Sequence, residues 1–548
     1  MFVEDSSMSN QKKGLKFFKK ACMVTLLAAG MLVGIQTGAK AIDFKAQGEW
    51  LVGFGVADTN FVDKAGGNKK DADDIFGAAQ RIRLQVDAVA SEALSGTVFF
   101  EIGTQYWGDA EYGGALGADG TNQIKVKNAY IDWTVPNTDL QFRMGLQAFA
   151  MPNAAGGSAI MDGDVAAVVA NYKFNDNVSL TGLWMRPVND NYDGWDSADG
   201  TKTNFERNYL DNIDLFALSL PLTFDGVELT PWVMYGMMGK NALDGYDDDA
   251  LIRYNNDRRT SSLDGGWTTQ DGVLSQTLIN YHPGFNADLS NGFGNSQAYS
   301  SLFWFGLPIS LTLWDPLNIE FEFDYGYSGG FGSYDLFKRG NVDSIRADSR
   351  REGWLVKALV EYKFDWGVPG IFGWYASGDD GDMKNGSKRM PSIAGSGSFT
   401  SFMGSGGTDW SVASKGGDNI EKNMTYAGTW GVGLQVRDMS FIEDLSHTFR
   451  VALWGGTNSP SMTKYFNSRE GWNDGYGADG PYMTTNDNLL EFNLDNTYQM
   501  YENFAVNVDL GYIVNMYNSD TWNRRWMEDS KVQKKDAWKA QVTFAYTF

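Results

Sequence analysis

The chain has 548 residues, with 68 acidic and 45 basic side chains and a formal net charge of −23. So acidic a chain argues against nucleic acid as a partner, because a nucleic-acid site needs a basic surface. An aromatic content of 14% and 64 glycines fit a chain of many strands and turns.

The amino terminus has the pattern of a secretory signal peptide. Five lysines between residues 12 and 20 precede an apolar run over residues 21–35, and a small-residue cleavage site ends at Ala41. The apolar run is too short for a spanning helix. We therefore predict cleavage after Ala41, which leaves residues 42–548 as one β-barrel domain. The first 41 residues hold six lysines and two acids, so this domain has a net charge of −27; the single cysteine, Cys22, lies in the signal.

The last thirteen residues alternate between an apolar and a polar face, which predicts a strand. Phe544, Tyr546 and the terminal Phe548 share the apolar face. Aromatic residues at the ends of a lipid-facing strand are typical of transmembrane barrels. The segment resembles the carboxy-terminal strand of bacterial outer-membrane proteins. That resemblance implies that it closes the barrel and is the signal read by the outer-membrane assembly machinery.

Short and long connections alternate along the rest of the chain, which predicts an all-β, antiparallel transmembrane barrel with periplasmic turns and extracellular loops. The pattern indicates eighteen strands, or sixteen, because residues 209–220 and 227–238 alternate poorly. Short turns are predicted near residues 91–96, 136–139, 175–177, 221–226, 314–316, 365–367, 438–446 and 501–503. Long loops are predicted near residues 58–77, 108–123, 150–163, 187–208, 239–296, 328–352, 378–424, 456–488 and 515–535.

Several local runs resemble the outer-membrane homotrimeric porins of sulfate-reducing bacteria, within the general diffusion porins. The runs are Gln80–Ala88, Tyr106–Gly108, Ala129–Trp133, Met144–Gln147, Met151–Asn153 and Leu183–Pro187. The resemblance covers essentially all of residues 42–548. It implies a homotrimer and passive passage of small hydrophilic solutes, and it supplies no catalytic residues.

Charged residues fall on the polar strand faces, which we assign to the lumen, because a charge facing lipid is costly. The register puts ten basic and twelve acidic residues there, so the lumen is nearly neutral and weak cation preference is expected. Bases on early strands and acids on the eleventh predict a transverse field. The candidate pore-lining residues are Arg81, Arg83, Asp87, Glu101, Asp132, Arg143, Glu320, Glu322, Asp324, Arg437, Arg450, Glu491, Asp495 and Asp509.

Two loops are candidates for narrowing the pore. Residues 147–164 follow the fifth strand, and Asp162 and Asp164 could face a basic wall; a short surface loop is the alternative interpretation. Residues 239–296 are the rival, because loops so long are seldom structureless. Acidic runs at residues 190–196 and 244–249 fit either solvated loops or divalent-cation binding beside lipopolysaccharide.

The histidines, His282 and His447, have no recognisable nucleophile or acid partner, so no enzyme, cofactor or metal site is predicted. The sequence therefore predicts an outer-membrane porin for small hydrophilic solutes and ions, with outer-membrane lipid and lipopolysaccharide around it. A channel selective for organic acids or sugars is the first alternative. An outer-membrane enzyme or adhesin is the second.

Overall fold

The computed structural model describes residues 42–58, 62–64, 75–110, 113–117, 124–189, 212–239, 242, 278, 298–337, 344–395, 399–400, 410–412, 426–465, 482–526 and 532–548. The predicted signal peptide, His282 and the acidic runs at 190–196 and 244–249 lie outside the described residues. Within the described part of the chain, no helix has both the length and the apolar character that crossing a bilayer requires.

Twenty strand segments form one closed antiparallel sheet. Two strands consist of two segments each, so the barrel has eighteen strands, as predicted. In chain order they are β1 Asp43–Asp58, β2 Ile75–Ser91, β3 Leu94–Tyr106, β4 Ile124–Thr134, β5 Leu140–Ala150, β6 Asp162–Lys173, β7 Ser179–Asn189, β8 Asn212–Ser219 with Leu222–Phe224, β9 Val227–Leu229 with Trp232–Gly239, β10 Tyr299–Leu311, β11 Leu317–Ser328, β12 Arg351–Tyr362, β13 Val368–Ala376, β14 Thr429–Ile442, β15 Leu445–Gly456, β16 Asn488–Tyr501, β17 Phe504–Asn515 and β18 Ala537–Thr547.

Strands β8 and β9 are the two that alternate poorly in the sequence, and each is interrupted at a proline. Pro221 separates the segments of β8, and Pro231 those of β9. Proline has no N–H group to donate to the ladder, so pairing breaks there. The two strands nevertheless stay adjacent, because the Leu220 amide of β8 donates to the Pro231 carbonyl of β9 over 3.0 Å. Both strands therefore belong to the wall, which decides for eighteen strands over sixteen.

The connections are sorted by length, as the sequence predicts. Eight short turns join β2 to β3 and each later even strand to its successor, up to β16 and β17, so all lie at one end. The long loops lie at the other end and carry the remaining elements. These are the strand pairs Val62–Lys64 with Val532–Lys534 and Ser333–Phe337 with Ser344–Asp348, the helix Ser519–Trp526, and the 3₁₀ turns Met383–Asn385 and Pro460–Tyr465.

The outer face of the barrel is apolar and is rimmed by aromatic side chains at both ends. Near the turns, the rings of Trp133 and Phe142 stack at 5.7 Å between centroids. Near the loops, the rings of Trp354 and Tyr375 stack at 5.5 Å. Along many strands, such as Trp232–Gly239 and Tyr299–Leu311, exposed outward side chains alternate with buried inward ones. This is the surface expected for a barrel in a bilayer, with amphipathic rings at the two interfaces.

The chain closes on itself where β18 pairs with β1, with Trp50 opposite Tyr546. At the end of this seam Gly48 donates its N–H to the Phe548 carbonyl over 2.8 Å and accepts the Phe548 N–H over 3.0 Å. A Cβ atom on Gly48 would lie 2.7 Å from the Phe548 ring and 2.5 Å from the Arg83 carbonyl oxygen. A residue without a side chain is therefore required where the terminal ring lies.

Candidate pore and its constriction

Strand register places the predicted pore-lining residues on the inward face, where several of them form ion pairs between strands. In the wall formed by β1 to β5, the Arg83 Nε donates to Glu101 over 2.8 Å, and an Arg83 Nη lies 3.7 Å from Glu49. Arg143 binds Asp132 through two hydrogen bonds of 2.7 and 2.9 Å. The first pair joins β2 to β3 and the second joins β4 to β5.

Asp87 on β2 has neutral partners. Its carboxylate accepts hydrogen bonds from Thr97 at 2.6 Å and from Gln85 at 3.0 Å. Arg81 lies nearer the loop end of the same strand, and one of its Nη atoms is 3.5 Å from Glu49. These contacts give the wall of β1 to β5 alternating donors and acceptors.

The wall formed by β11 to β14 contains two more pairs. Arg437 binds Glu361 through hydrogen bonds of 2.5 and 2.7 Å. Lys357 lies 3.2 Å from Glu322, and both side chains are almost completely buried. Asp324 is buried on the same strand face as Glu322. Glu320 accepts a hydrogen bond from Asn318 over 3.0 Å.

The wall formed by β15 to β18 is also charged and covered. Arg450 donates to Asp495 over 2.5 Å. Glu491 and Asp509 face the lumen on β16 and β17, and both are buried. In the wall of β1 to β5, Arg83 and Arg143 each pair with an acid on a neighbouring strand, so their charges are compensated locally. The transverse field expected from the sequence, with bases on one side and acids on the other, stays a prediction.

The inward face of β6 to β10 is apolar at mid-height, which the sequence did not indicate. Its buried side chains are Val165, Val169, Leu183, Met185, Ile213, Leu215, Trp232, Met234, Leu302 and Trp304. They form one core cluster with Met151, Ile160 and Met161 of the loop after β5. An apolar face on both sides of β8 and β9 explains why those strands alternate poorly in the sequence.

The loop at residues 151–161 lies inside the barrel and reaches the far wall. The Ala154 amide donates to Glu322 over 2.7 Å, and the Lys357 ammonium donates to the Gly157 carbonyl. The Trp232 indole N–H donates to the Pro152 carbonyl over 3.0 Å. The loop is thus anchored on β9, β11 and β12 by a charged pair and an indole, in addition to its apolar contacts.

The two acids assigned to the constriction lie at the start of β6. Asp164 forms an ion pair with Lys127 and accepts a 2.8 Å hydrogen bond from Asn128. The Asp162 amide donates to the Ala394 carbonyl over 2.8 Å. Asp164 therefore meets one lysine of β4, whereas the loop tip is held by backbone groups. Of the rival loop at residues 239–296, the structure describes Gly239, Ala242 and Leu278. Ala242 and Leu278 belong to the core cluster of buried residues.

A second loop, between β13 and β14, also enters the lumen with its described residues 377–395, 399–400, 410–412 and 426–428, and sequence reasoning missed it. Its Pro391 carbonyl accepts the Trp304 indole N–H over 2.9 Å, and the carbonyls of Arg389 and Met390 accept from the Arg351 guanidinium at 3.0 and 3.1 Å. The signal available in the sequence was a set of aromatic residues, Phe399, Trp410 and Tyr426, in a loop otherwise rich in glycine and serine.

The other end of this loop contacts the opposite wall. The Val412 amide donates to the Gln541 side chain over 2.9 Å, and Gln541 donates to the Trp410 carbonyl over 2.6 Å. The Arg81 guanidinium carbon lies 5.4 Å from the centre of the Trp410 ring, within cation–π range. The two loops also touch each other, since Tyr426 donates to the Gly156 carbonyl over 2.7 Å.

Residues at the loop end of β15 and β16 hold the loops above the lumen together. Asp487 accepts hydrogen bonds from Thr484, from the Asn518 amide at 2.9 Å and from the Trp522 indole at 3.0 Å. Burial raises the pKa of Asp487 above its ordinary value, although these hydrogen bonds favour the carboxylate. The helix Ser519–Trp526 is fixed to the barrel rim by Asp487 and by Asn486, whose side-chain amide donates to Thr521 over 2.8 Å.

No protein-family model matches the chain, and no curated protein matches its sequence. Among solved structures it is similar to OpdQ of Pseudomonas aeruginosa, with 10% identity, a TM-score of 0.45, and 92% of this chain and 98% of that chain covered. OccAB3 of Acinetobacter baumannii gives 10% identity, a TM-score of 0.46, and 92% and 99% covered. OpdK of Pseudomonas aeruginosa with vanillate gives 8% identity, a TM-score of 0.44, and 92% and 98% covered. At this distance they identify no function for the chain.

Proposed function

We propose that the chain is an outer-membrane porin through which small hydrophilic solutes and ions diffuse passively. The observation that carries the proposal is a closed barrel whose outer face is apolar and rimmed by aromatics while its inner face carries paired charges. An inner face of this kind solvates ions and polar solutes, and the apolar outer band suits lipid.

The decisive experiment is single-channel recording of the purified protein in planar bilayers. Uniform conductance steps are expected, together with passage of sugars in a liposome-swelling assay up to a defined size. A protein that inserts into liposomes but gives neither steps nor swelling would contradict the proposal.

A channel selective for one class of solute is the second candidate. It is favoured by the loop at residues 151–161 and by the described parts of the loop after β13, which contact several strands of the lumen wall. A narrow passage allows contact with the solute on several sides. In the swelling assay this candidate predicts saturation and competition between related solutes. A general porin predicts rates that depend on solute size alone.

We further propose export by cleavage after Ala41, assembly through the outer-membrane machinery and a homotrimer surrounded by lipid and lipopolysaccharide. Deletion of Phe548 should lower the amount of assembled protein, because the terminal residue closes the seam with Gly48.

The trimer contact is proposed for the outward faces of β1 and β6. Ala46, Ala166 and Ala170 are small there, so that two barrels could approach closely. Ala46→Phe together with Ala166→Phe should shift the species to monomers on mild-detergent gels, whereas unchanged trimers would place the contact elsewhere. Gly48 also lies on the outward face of β1, but it is left unchanged in this test because it accommodates the Phe548 ring.

A further inference from the structure

The charged pairs inside the barrel differ in how much water reaches them. In the wall of β1 to β5, the side chains of Arg83, Arg143 and Glu49 are 27%, 23% and 34% exposed. Across the lumen, Lys357 and Glu322 are 0% and 2% exposed, and Arg450 and Asp495 are 11% and 10% exposed. Pairs of similar chemistry are thus wet on one side of the barrel and nearly dry on the other.

The two lumen loops account for the burial of Lys357 and Glu322 and leave much of the wall of β1 to β5 uncovered. Residues 151–161 run over the apolar inward face of β6 to β10 and end on β11 and β12. Residues 390–394 of the second loop cover β10 and β12, and residues 410–412 contact β18 and the upper part of β1 and β2. The charged sector that keeps substantial exposure is the inward face of β1 to β5 toward the turn end of the barrel. It includes Gln85 and Arg143.

We infer that solutes cross the lumen off-centre, along the wall of β1 to β5 that carries Glu49, Arg83, Glu101, Asp132 and Arg143. This inference rests on the proposed channel function. It adds the route that solutes take and the residues that discriminate between them. Arginine and carboxylate groups alternate along the path, so every solute meets both donors and acceptors. Small neutral solutes with several hydroxyls and small zwitterions can replace water at both kinds of group, whereas a solute of one charge is attracted by the groups of opposite sign and repelled by the others.

Cysteine accessibility tests the path directly, because residues 42–548 contain no cysteine and every new thiol is unique there. Gln85→Cys and Gln141→Cys place a thiol on the inward faces of β2 and β5 without breaking a salt bridge. Gln435→Cys and Asn493→Cys are matched controls: they replace neutral polar side chains that face inward on β14 and β16 and are buried. A positively charged, membrane-impermeant methanethiosulfonate is added during single-channel recording. The same reagent is added to purified protein in liposomes, and mass spectrometry then measures the extent of modification.

The expected result is a stepwise loss of conductance for Gln85→Cys and Gln141→Cys, with the controls unmodified and their conductance unchanged. Loss at the control positions, or equal loss at all four, would overturn the off-centre path. The path would also be overturned if the thiols of Gln85→Cys and Gln141→Cys stayed unmodified. Modification of these thiols without a change in conductance would overturn it as well. Failure of the unmodified protein to conduct would contradict the channel function itself, which separates the two outcomes.

Discussion

At the scale of single residues, Gly48 shows how one position can determine closure of the whole sheet. Its missing side chain leaves room for the Phe548 ring, and its backbone exchanges two hydrogen bonds with that residue. The tail is therefore both the last strand of the barrel and a ring packed on the first strand.

We predict that Gly48→Ala destabilises the barrel by about 1–3 kcal/mol, because the added Cβ overpacks the seam. The measurement is the temperature at which the heat-modifiable band unfolds in detergent. Gly96→Ala on β3 is the matched control, because the nearest atom to a Cβ there is 3.9 Å away. Equal unfolding temperatures for the two variants would show that the seam can shift to accommodate the methyl group.

At the scale of elements, the loop at residues 151–161 is held by apolar packing on β6 to β10 and by one charged latch. The latch consists of Glu322, which accepts from the Ala154 amide, and Lys357, which donates to the Gly157 carbonyl. Both side chains are buried, so neither can exchange its partner for water without moving the loop.

Lys357→Met is predicted to destabilise the folded barrel by roughly 3–5 kcal/mol, since Glu322 would be left as an unpaired buried charge beside Asp324. We expect noisier single-channel currents from the loosened loop as well. Lys363→Met, which removes an exposed lysine at the turn after β12, should change neither property. Adding Glu322→Gln to Lys357→Met should recover part of the stability, and no recovery would mean that the latch does not act as a charged pair.

At the scale of the whole molecule, the net charge of the chain and the charge balance of the lumen wall are two different quantities. Residues 42–548 carry a net charge of −27, yet several acids and bases of the described lumen wall form pairs between strands. Much of the surplus acid therefore lies in loops and turns, where salt screens it over about 8 Å at physiological ionic strength.

We predict a modest preference for cations that fades as salt concentration rises, because the loop acids enrich cations at the mouth and the paired lumen filters weakly. The reversal potential across a salt gradient, recorded at low and at high ionic strength, measures it. Strong anion selectivity that persists at high salt would mean that Arg83 and Arg143 act without their acidic partners at the narrowest point.

The sequence by itself determined most of the strands and the sorting of turns from loops, and it narrowed the strand number to eighteen or sixteen. Alternation with a period of two and turn residues such as those at 501–503 are local, so the pattern can be read within ten residues of the chain. It also predicted the inward register of the charged residues, because one face of each such strand must be apolar in lipid.

Only the tertiary structure decided which loops enter the lumen, which sector is apolar and which pairs stay wet. Lys357 and Gly157 are separated by 200 residues, and Trp410 and Thr104 by 306. No local pattern encodes contacts over such distances, because they depend on how the closed sheet brings remote strands and loops to the same height. The apolar inward face of β6 to β10 is the clearest case: it has hydrophobic residues where a lumen wall predicts polar ones, and the loop that covers it supplies the physical reason.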